Sequence, residues 1–412
     1  MSDDGTMVIV GAALTGAKAA ETLREEGYEG RVVLIGDEPV RPYERPPLSK
    51  DYLRGESDRE KVFVHEPAFY EARDIELITG GPATAIAPGT REVVLGGGET
   101  LRYDALLIST GAAPRRLPIP GADLDGVLTL RTLADSEYLR ERLSAAGRLA
   151  VIGAGWIGCE VAASARQMGL EVTLLEHAQV PLEAVLGHEL GAFYRDVHLE
   201  HSVRFMAGAA VEAIEGDGAA ARVRLSGGEA IDCDLVLIGV GVAPRTELAQ
   251  AAGLDVDNGI LVDATLESSA PGVFAAGDVA NAEHPFFGRR VRVEHWANAL
   301  NQGPAAARNM LGAGIPYDRL PYFFSDQYDV GMEYSGLAER GDEVVIRGDT
   351  AKREFVAFWL HDDRVVAGMN VNVWDVNEAV QALIRSRAPV DRGALADPDV
   401  PLESLAEAPR TE

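Results

Sequence analysis

The chain reads as an α/β protein with two parallel-sheet domains and a smaller α+β domain at its C-terminal end, and three observations predict this. A strand, turn, helix, strand pattern opens the chain, the same pattern returns near Leu149, and short aromatic strands replace it from about Pro316 onward. In the first copy Met7 to Val10 is apolar, Gly11 to Gly16 carries the turn, Ala17 to Glu25 suits a helix, and Arg31 to Ile35 is apolar again. In the second copy the same order runs through Leu149 to Ile152, Gly153 to Gly158, Cys159 to Gln167 and Glu171 to Leu175, with Glu176 closing the last strand. Two copies of one βαβ unit suggest two Rossmann-like dinucleotide-binding domains.

After each copy come hairpin-like stretches with glycine turns, Arg91 to Leu101 and Ala221 to Ile231, and then the apolar strands Ala105 to Ile108 and Leu235 to Ile238. The segment Gly259 to Asp278 alternates apolar and polar residues, ends in Ala-Ala-Gly-Asp, and reads as a return to the first domain with a helix opening at Gly277-Asp278. Tyr322 to Phe324 and Phe355 to Leu360 are the aromatic strands of the third domain. The last twenty residues, acidic and proline-bearing, are expected to be flexible. The expected division is 1–112 with 242–315 for the first domain, 113–241 for the second and 316–412 for the third.

Composition removes several function classes. The chain has 412 residues, 47% of them hydrophobic, enough for more than one sizeable core. Its 38 Lys and Arg stand against 65 Asp and Glu, a formal charge of −27, which argues against nucleic-acid binding. Two cysteines, Cys159 and Cys233, make neither a disulfide framework nor a Cys-x-x-Cys pair, and a reducing cytoplasm is the expected home. The first apolar run is too short for a signal peptide, and no later run approaches a membrane span. The eight histidines show no metal-ligand spacing, so no protein-bound metal is expected.

Gly153-Ala154-Gly155-Trp156-Ile157-Gly158 is a full G-x-G-x-x-G between an apolar strand and a helix. The first glycine makes the tight turn, the second lets a pyrophosphate approach, and the third allows close packing of helix on strand. Glu176 lies 18 residues beyond Gly158, where a carboxylate binds a ribose hydroxyl and repels a 2′-phosphate, so NADH is favoured over NADPH. The first copy, Gly11-Ala12-Ala13-Leu14-Thr15-Gly16, has Ala13 where the second glycine should stand, while Asp37 follows 21 residues after Gly16. On its own it reads equally as a cofactor site or a scaffold turn.

The surrounding residues decide between those readings. Arg41-Pro42-Tyr43-Glu44-Arg45-Pro46-Pro47-Leu48-Ser49-Lys50 resembles a signature of the oxygenase-coupled ferredoxin reductases, a family of FAD and pyridine nucleotide oxidoreductases with a glutathione-reductase-like fold. The resemblance continues in Ser109-Thr110-Gly111 with Pro114-Arg115, in Gly239-Val240-Gly241 with Pro244, and in Gly277-Asp278. It also reaches Val293-Glu294-His295-Trp296-Ala297-Asn298-Ala299 and Phe324-Ser325-Asp326-Gln327-Tyr328, and so covers nearly the whole chain in order. Apoptosis-inducing factor, monodehydroascorbate reductase, rubredoxin reductase and NADH oxidases resemble it more loosely.

Together the motifs and the resemblance imply FAD contacts from Gly11, Ala12, Ala13, Leu14, Thr15, Gly16, Asp37, Arg45, Pro47, Lys50, Ala83, Thr110, Gly111, Arg131, Gly277, Asp278, Glu294, His295 and Trp296. They imply NADH contacts from Gly153, Gly155, Trp156, Ile157, Gly158, Glu160, Glu176 and Gly241. Lys50 and Glu160 are the expected catalytic pair: the resemblance sets the lysine beside the flavin and the glutamate near the nicotinamide within reach of that lysine. We read this pair as positioning machinery, because a buried Lys and Glu are costly to desolvate unless mutually satisfied. From sequence alone Trp296 reads equally as a flavin-facing ring or a packed core aromatic, His295 as a packing residue, and Asp278 as a ribityl acceptor that also caps a helix.

The function so implied is NADH-dependent ferredoxin reduction: FAD takes a pair of electrons from NADH and a small [2Fe-2S] ferredoxin takes them singly, for a cytochrome P450 or a ring-hydroxylating dioxygenase. Neither cysteine sits where a redox disulfide would face a flavin, which argues against disulfide reductase chemistry. The competing functions are an NADH oxidase or quinone reductase with a small acceptor, and an apoptosis-inducing-factor-like binding protein that responds to NADH. A ferredoxin is commonly acidic, and so is this chain, so docking calls for a local basic strip. Arg289, Arg290 and Arg292 with Arg308 are the densest candidate, alongside the plain reading of a solvated loop; a monomer or weak dimer is expected.

Overall fold

Residues 5–406 are described in the structure, a computed structural model. Two compact units account for them. The first comprises Met1–Pro46, Asp58–Ala113 and Val242–Arg319, and the second comprises Pro47–Ser57, Pro114–Gly241 and Leu320–Glu412.

The core of the first unit is an all-parallel sheet in the spatial order Val273–Ala275, Ala105–Ile108, Thr6–Val10, Arg31–Ile35, Ile75–Ile78. Its strands read as unbroken apolar runs because both faces are covered, and Met7, Val8 and Ile9 in the central strand are fully buried. The chain leaves that central strand at Gly11, where a Cβ would lie 2.2 Å from the Ser109 carbonyl oxygen, so only glycine can make the crossing. The helix Leu14–Glu25 follows, and the helix Trp296–Met310 packs on it so closely that a Cβ on Gly303 would meet the Thr15 carbonyl oxygen at 2.3 Å. Beside this sheet stands a three-stranded antiparallel meander, Ala83–Ala87, Glu92–Leu95 and Thr100–Arg102, which contains the hairpin expected at 91–101.

The second unit repeats the plan. Its parallel sheet runs Arg204–Met206, Glu171–Leu175, Arg148–Ile152, Leu235–Ile238, Val127–Leu128, and its meander is Val211–Glu215, Arg222–Leu225 and Ala230–Asp232. The same unit holds a five-stranded antiparallel sheet in the order Tyr322–Gln327, Val330–Gly336, Arg364–Val371, Glu354–His361, Glu343–Asp349. The helix Asn377–Ser386 packs on this sheet through Val380, Leu383 and Ile384.

Four expectations need correction or extension. Both glycine-loop helices start inside the motif, at Leu14 and Trp156, because the extended residues Ala13 and Gly155 already act as N-caps. Gly277-Asp278 opens only a single 3-10 turn, Gly277–Val279, and a strand, Ala280–His284, follows it; the Ala- and Asn-rich helix begins later, at Trp296. Residues 392–405 form two short helices, Arg392–Ala396 and Leu402–Leu405, and Arg347 ties this segment down through the carbonyl oxygens of Leu395, Asp397, Pro398 and Val400. The flexibility expected for the last twenty residues therefore does not hold for these; residues 407–412 lie outside the described residues. Finally, residues 47–57, read from sequence with the first domain, cluster with the second unit. Ser136 Oγ donates to the Leu48 carbonyl oxygen at 2.8 Å and Ser164 Oγ to that of Ser49 at 2.6 Å.

Candidate functional site

In the first unit, a cleft opens at the C-terminal ends of the parallel strands. Gly11 to Thr15, Asp37, Glu38, Arg45, Ala83, Ser109 to Gly111, Arg245 and Asp278 line it. The helix Leu14–Glu25 points its N-terminus there with no side-chain cap and no acidic residue in its first turn. The helix Leu133–Ala145 is finished differently, with Thr132 and Asp135 forming a capping box. Leaving N–H groups and the positive end of a helix uncapped at a cleft suits a phosphate, and the residues here fit a dinucleotide.

Ala13 does not spoil that fit. Its backbone is extended, φ −112° and ψ −164°, much like Gly155 at −76° and −175°, so the second position of the loop needs no left-handed conformation. Asp37, at the end of the second strand, pairs with Arg245 Nη1 at 2.9 Å, both half-exposed. The Arg245 backbone is fixed in turn: its N–H donates to the Gly111 carbonyl oxygen at 2.9 Å and its carbonyl oxygen accepts Thr110 Oγ1 at 2.8 Å. Arg245 was not expected from sequence, where only the neighbouring Gly239-Val240-Gly241 and Pro244 signalled this loop.

Asp278 is buried, and the Gly277 N–H ahead of it donates to Gln302 Oε1 at 2.8 Å. His295 is the N-cap residue of the helix Trp296–Met310, and burial pushes its pKa down to about 4 against the opposing pull of Asp278, so it is neutral near pH 7. Trp296 Nε1 donates to Glu44 Oε2 at 3.1 Å, which fixes the ring through a residue of the arginine- and proline-rich signature. Glu294 pairs with Arg292.

The second unit has its own uncapped helix N-terminus, at Trp156–Gln167 behind Gly155, again with no acid in the first turn. A Cβ added to Gly155 would meet nothing within 4 Å, which leaves the approach over the loop open to a pyrophosphate. Glu176 reaches back to this loop: Oε2 accepts the Ala154 N–H at 2.6 Å and Oε1 accepts the Ala178 N–H at 3.0 Å. Ile157 is exposed beside the loop, but the Trp156 ring packs edge-on against Tyr194 and Phe323, with centroids 5.8 and 5.0 Å away. Gly241 has φ +92°, and a Cβ there would touch Arg115 at 3.9 Å.

Also in the second unit, Lys50 Nζ lies 2.9 Å from Glu160 Oε2, with side chains 13% and 5% exposed. Two hydroxyls complete the carboxylate: Ser49 Oγ donates to Oε2 at 2.5 Å and Ser325 Oγ to Oε1 at 2.7 Å. Glu160 is thus a buried carboxylate with a cation and two donors, the condition under which burying it is tolerable. Lys50 also lies 5.7 Å over the Phe324 ring. Burial raises the Asp326 carboxyl above the usual carboxylate range, with Lys50 pulling it down and Glu160 and Asp51 pushing it up. Ser49, Ser325 and Asp326 lie inside the motifs that carry the resemblance, yet nothing in the sequence assigned them to Glu160.

Pro47 sits in the 3-10 turn Pro46–Ser49 that leads to Lys50, and the Arg131 N–H donates to Asp135 Oδ2 at 3.0 Å. Of the basic strip, Arg289 is exposed; Arg290 pairs with Glu283 at 2.8 Å, Arg292 with Glu294, and Arg308 with Glu26 at 2.6 Å. Both cysteines are buried thiols: burial pushes Cys233 up to about 11 and Cys159 well above its ordinary value. Among the described residues no cluster of three His, Cys, Asp or Glu could hold a metal ion, and no helix is long and apolar enough to cross a membrane.

Comparison with known proteins gives the family and the fold. Residues 5–303 match the pyridine nucleotide-disulphide oxidoreductase family and residues 322–406 match the reductase C-terminal domain. Putidaredoxin reductase of Pseudomonas putida is 39% identical over 420 residues, covering 100% of this chain and 99% of that protein. The ferredoxin–NAD(+) reductase component of the anthranilate 1,2-dioxygenase system of Burkholderia cepacia is 41% identical over 403 residues, 97% of this chain and 98% of that protein. The crystal structure of the covalent putidaredoxin reductase–putidaredoxin complex superposes with a TM-score of 0.93 at 39% identity, over 97% of this chain and 98% of that one.

Proposed function

Because this chain belongs to the pyridine nucleotide-disulphide oxidoreductase family, among its oxygenase-coupled ferredoxin reductases, we propose that it is an FAD-dependent NADH:ferredoxin reductase whose [2Fe-2S] partner supplies a cytochrome P450 or a ring-hydroxylating dioxygenase. The observation that carries the reading is the doubling of one device: two uncapped helix N-termini behind glycine-bearing loops, each with a carboxylate, Asp37 or Glu176, ending the next strand. One such site serves FAD and the other NADH. FAD, when bound, supplies the exchange between the electron pair carried by NADH and the single electrons taken by an iron–sulfur protein.

The chain's own residues orient the reactants. Uncapped N–H groups at Leu14 and Trp156 meet pyrophosphate, Asp37 and Glu176 meet ribose, and Glu176 disfavours a 2′-phosphate. Lys50 and Glu160 neutralise each other and hold a fixed polar surface where the nicotinamide is received. Neither buried thiol offers a thiolate, so the disulfide chemistry in the family's name has no nucleophile in this chain.

For the partner, the solved complex of a similar reductase with putidaredoxin supports a small ferredoxin. We place its docking on the strip of Arg289, Arg290, Arg292 and Arg308. In its favour, Arg289–Val291 is an edge strand with Arg289 exposed, and the pairing of Arg290, Arg292 and Arg308 with carboxylates keeps the patch weakly charged, in keeping with a small transient redox complex. The test is anaerobic reduction of cytochrome c by NADH and the FAD-loaded protein, with and without a [2Fe-2S] ferredoxin from the same cell. A rise of orders of magnitude with ferredoxin is expected. Fast flavin reduction with no such rise points to oxygen or a quinone as acceptor, and slow flavin reduction overturns the enzyme reading.

A further inference from the structure

The Glu160 carboxylate is the end of a longer line of polar groups in the second unit. Ser325 Oγ lies 2.7 Å from Glu160 Oε1, Gln327 Nε2 lies 3.4 Å from Ser325 Oγ, His198 Nε2 lies 3.0 Å from Gln327 Oε1, and Tyr328 Oη lies 3.3 Å from His198 Nδ1. Ser325, Gln327 and His198 are each at most 1% exposed, so water does not compete with these bonds. Gln327, His198 and Tyr328 have no role in the reaction as described above, and Ser325 entered only as a donor to Glu160.

The direction of every bond in this line follows from the one charge at its end. A carboxylate paired with an ammonium can only accept, so Ser325 must donate to Glu160. The Ser325 oxygen is then left to accept, which turns the Gln327 amide so that its NH₂ faces the serine and its oxygen faces His198. An amide oxygen needs a donor, so His198 carries its proton on Nε2 and presents Nδ1 as an acceptor, and Tyr328 donates to it. The surroundings favour each of these states. Burial pushes the His198 pKa down to about 4, aided by His201 and opposed by the Gln327 bond, and burial raises the Tyr328 phenol well above its ordinary value. The imidazole is therefore neutral and the phenol protonated, as the line requires. Four donors pointing the same way polarise one another toward the carboxylate.

We infer that His198, Gln327 and Tyr328 are positioning residues for Glu160, forming with Ser325 a one-way donor line that fixes the carboxylate against Lys50. The line does not carry protons, because a carboxamide stands in its middle; its work is orientation and stabilisation of a buried negative charge. Tyr328 is held in place by its stack on His201, with centroids 3.6 Å apart and planes 9° from parallel. The inference rests on the proposed role of Glu160 in receiving NADH.

The test uses the FAD-loaded protein and separates the NADH dissociation constant from the limiting rate of flavin reduction in anaerobic stopped flow. Ser325→Ala is expected to slow the limiting rate about tenfold while changing NADH affinity little. His198→Leu fills the site but donates nothing and is expected to slow the rate severalfold; His198→Gln, whose amide can donate from near the Nε2 position, is expected to recover most of that loss. A merely structural histidine would give two equally impaired variants. Nitrogen-15 NMR of the wild type should report the Nε2–H tautomer for His198. An Nδ1–H tautomer, an unchanged rate in Ser325→Ala, or equal rates in the two His198 variants overturns the inference. Glu160→Gln separates the two readings: if it is slow while the Ser325 and His198 variants are not, only the donor line falls; if Glu160→Gln is itself unimpaired, the proposed role of Glu160 falls and takes the line with it.

Discussion

Glu176 accepts the Ala154 N–H at 2.6 Å, so the carboxylate that would choose between dinucleotides also holds the loop that would bind them. With the Ala178 N–H on its other oxygen, neither oxygen is without a backbone donor, and a ribose hydroxyl would have to use remaining lone pairs.

A simple exchange of Glu176 for a basic or small residue should therefore fail to convert the protein to NADPH. Glu176→Arg is expected to lose at least about tenfold in kcat/KM for NADH without a matching gain for NADPH, because the Ala154 N–H of the loop and the Ala178 N–H each lose a hydrogen bond to a charged group, worth roughly 1.5–3 kcal/mol apiece. Glu176→Gln keeps one acceptor and should lose less. Steady-state kinetics with both nucleotides check this, and a Glu176→Arg enzyme that prefers NADPH would contradict it.

The Lys50 and Glu160 pair predicts a stability cycle. Lys50→Met leaves a buried carboxylate with two serine donors and no cation, and should destabilise the protein by about 3 kcal/mol. Lys50→Met combined with Glu160→Gln should recover much of that loss, since both charges are gone. Urea unfolding of the four proteins measures it. A double variant no more stable than Lys50→Met would show that the pair's coupling is small.

The two βαβ units, their strands and their loops were legible in the sequence because each rests on local signals: apolar runs of strand length, glycines where chains cross closely, and an acid at a fixed offset. What was not legible is set by distance in the chain. No local rule brings Arg245 to Asp37, Ser325 to Glu160 or Gln302 to the Gly277 N–H, because each contact depends on how separate elements fold together. Gly277-Asp278 misled for a related reason: an N-cap signal fits a 3-10 turn as well as a helix, and the strand after it is fixed by pairing Ala280 to Ile260. Charge misled in the basic strip, where composition could not reveal that most of its arginines face carboxylates of their own chain.

The first glycine loop should be intolerant at Gly11 and tolerant at Ala13. Gly11→Ala places a Cβ 2.2 Å from the Ser109 carbonyl oxygen and should yield protein that retains little FAD. Ala13→Gly changes a residue in ordinary extended geometry and should shift the FAD dissociation constant by less than about fivefold, the cost being the extra freedom of glycine, roughly 0.5–1 kcal/mol. Fluorimetric FAD titration of the two variants distinguishes the positions.

On the basic strip the four arginines should not behave alike. Arg289→Glu should lower the ferredoxin-dependent rate severalfold at low salt, with the difference from wild type shrinking as salt screens the charge. Arg290→Glu would place a carboxylate against Glu283 and abandon bonds to the carbonyl oxygens of Val262 and Asn281, so it should lower the melting temperature as well. An Arg289→Glu variant with unchanged turnover and salt dependence would remove the strip as a docking surface.

Stability should fall as the solution is acidified from about pH 6.5 toward pH 4. His198 and His295 are buried and neutral, with pKa values lowered from 6.5 to about 4, the first chiefly by burial and the second by burial against the pull of Asp278. In the unfolded chain both bind a proton near pH 6.5, so between these values the unfolded state holds more protons than the folded one and the slope of unfolding free energy against pH is positive. The contribution of each is intact above about pH 6.5 and is lost progressively down to about pH 4, amounting to roughly 3 kcal/mol per histidine if the full shift is realised. Urea unfolding at a series of pH values should give a slope near two protons in this window, and His198→Gln should lower it by about one because glutamine does not titrate. A wild-type slope near zero between pH 6 and pH 5 would mean that both histidines are already protonated in the folded protein, and for His198 it would also remove the Nδ1 acceptor on which the Tyr328 bond depends.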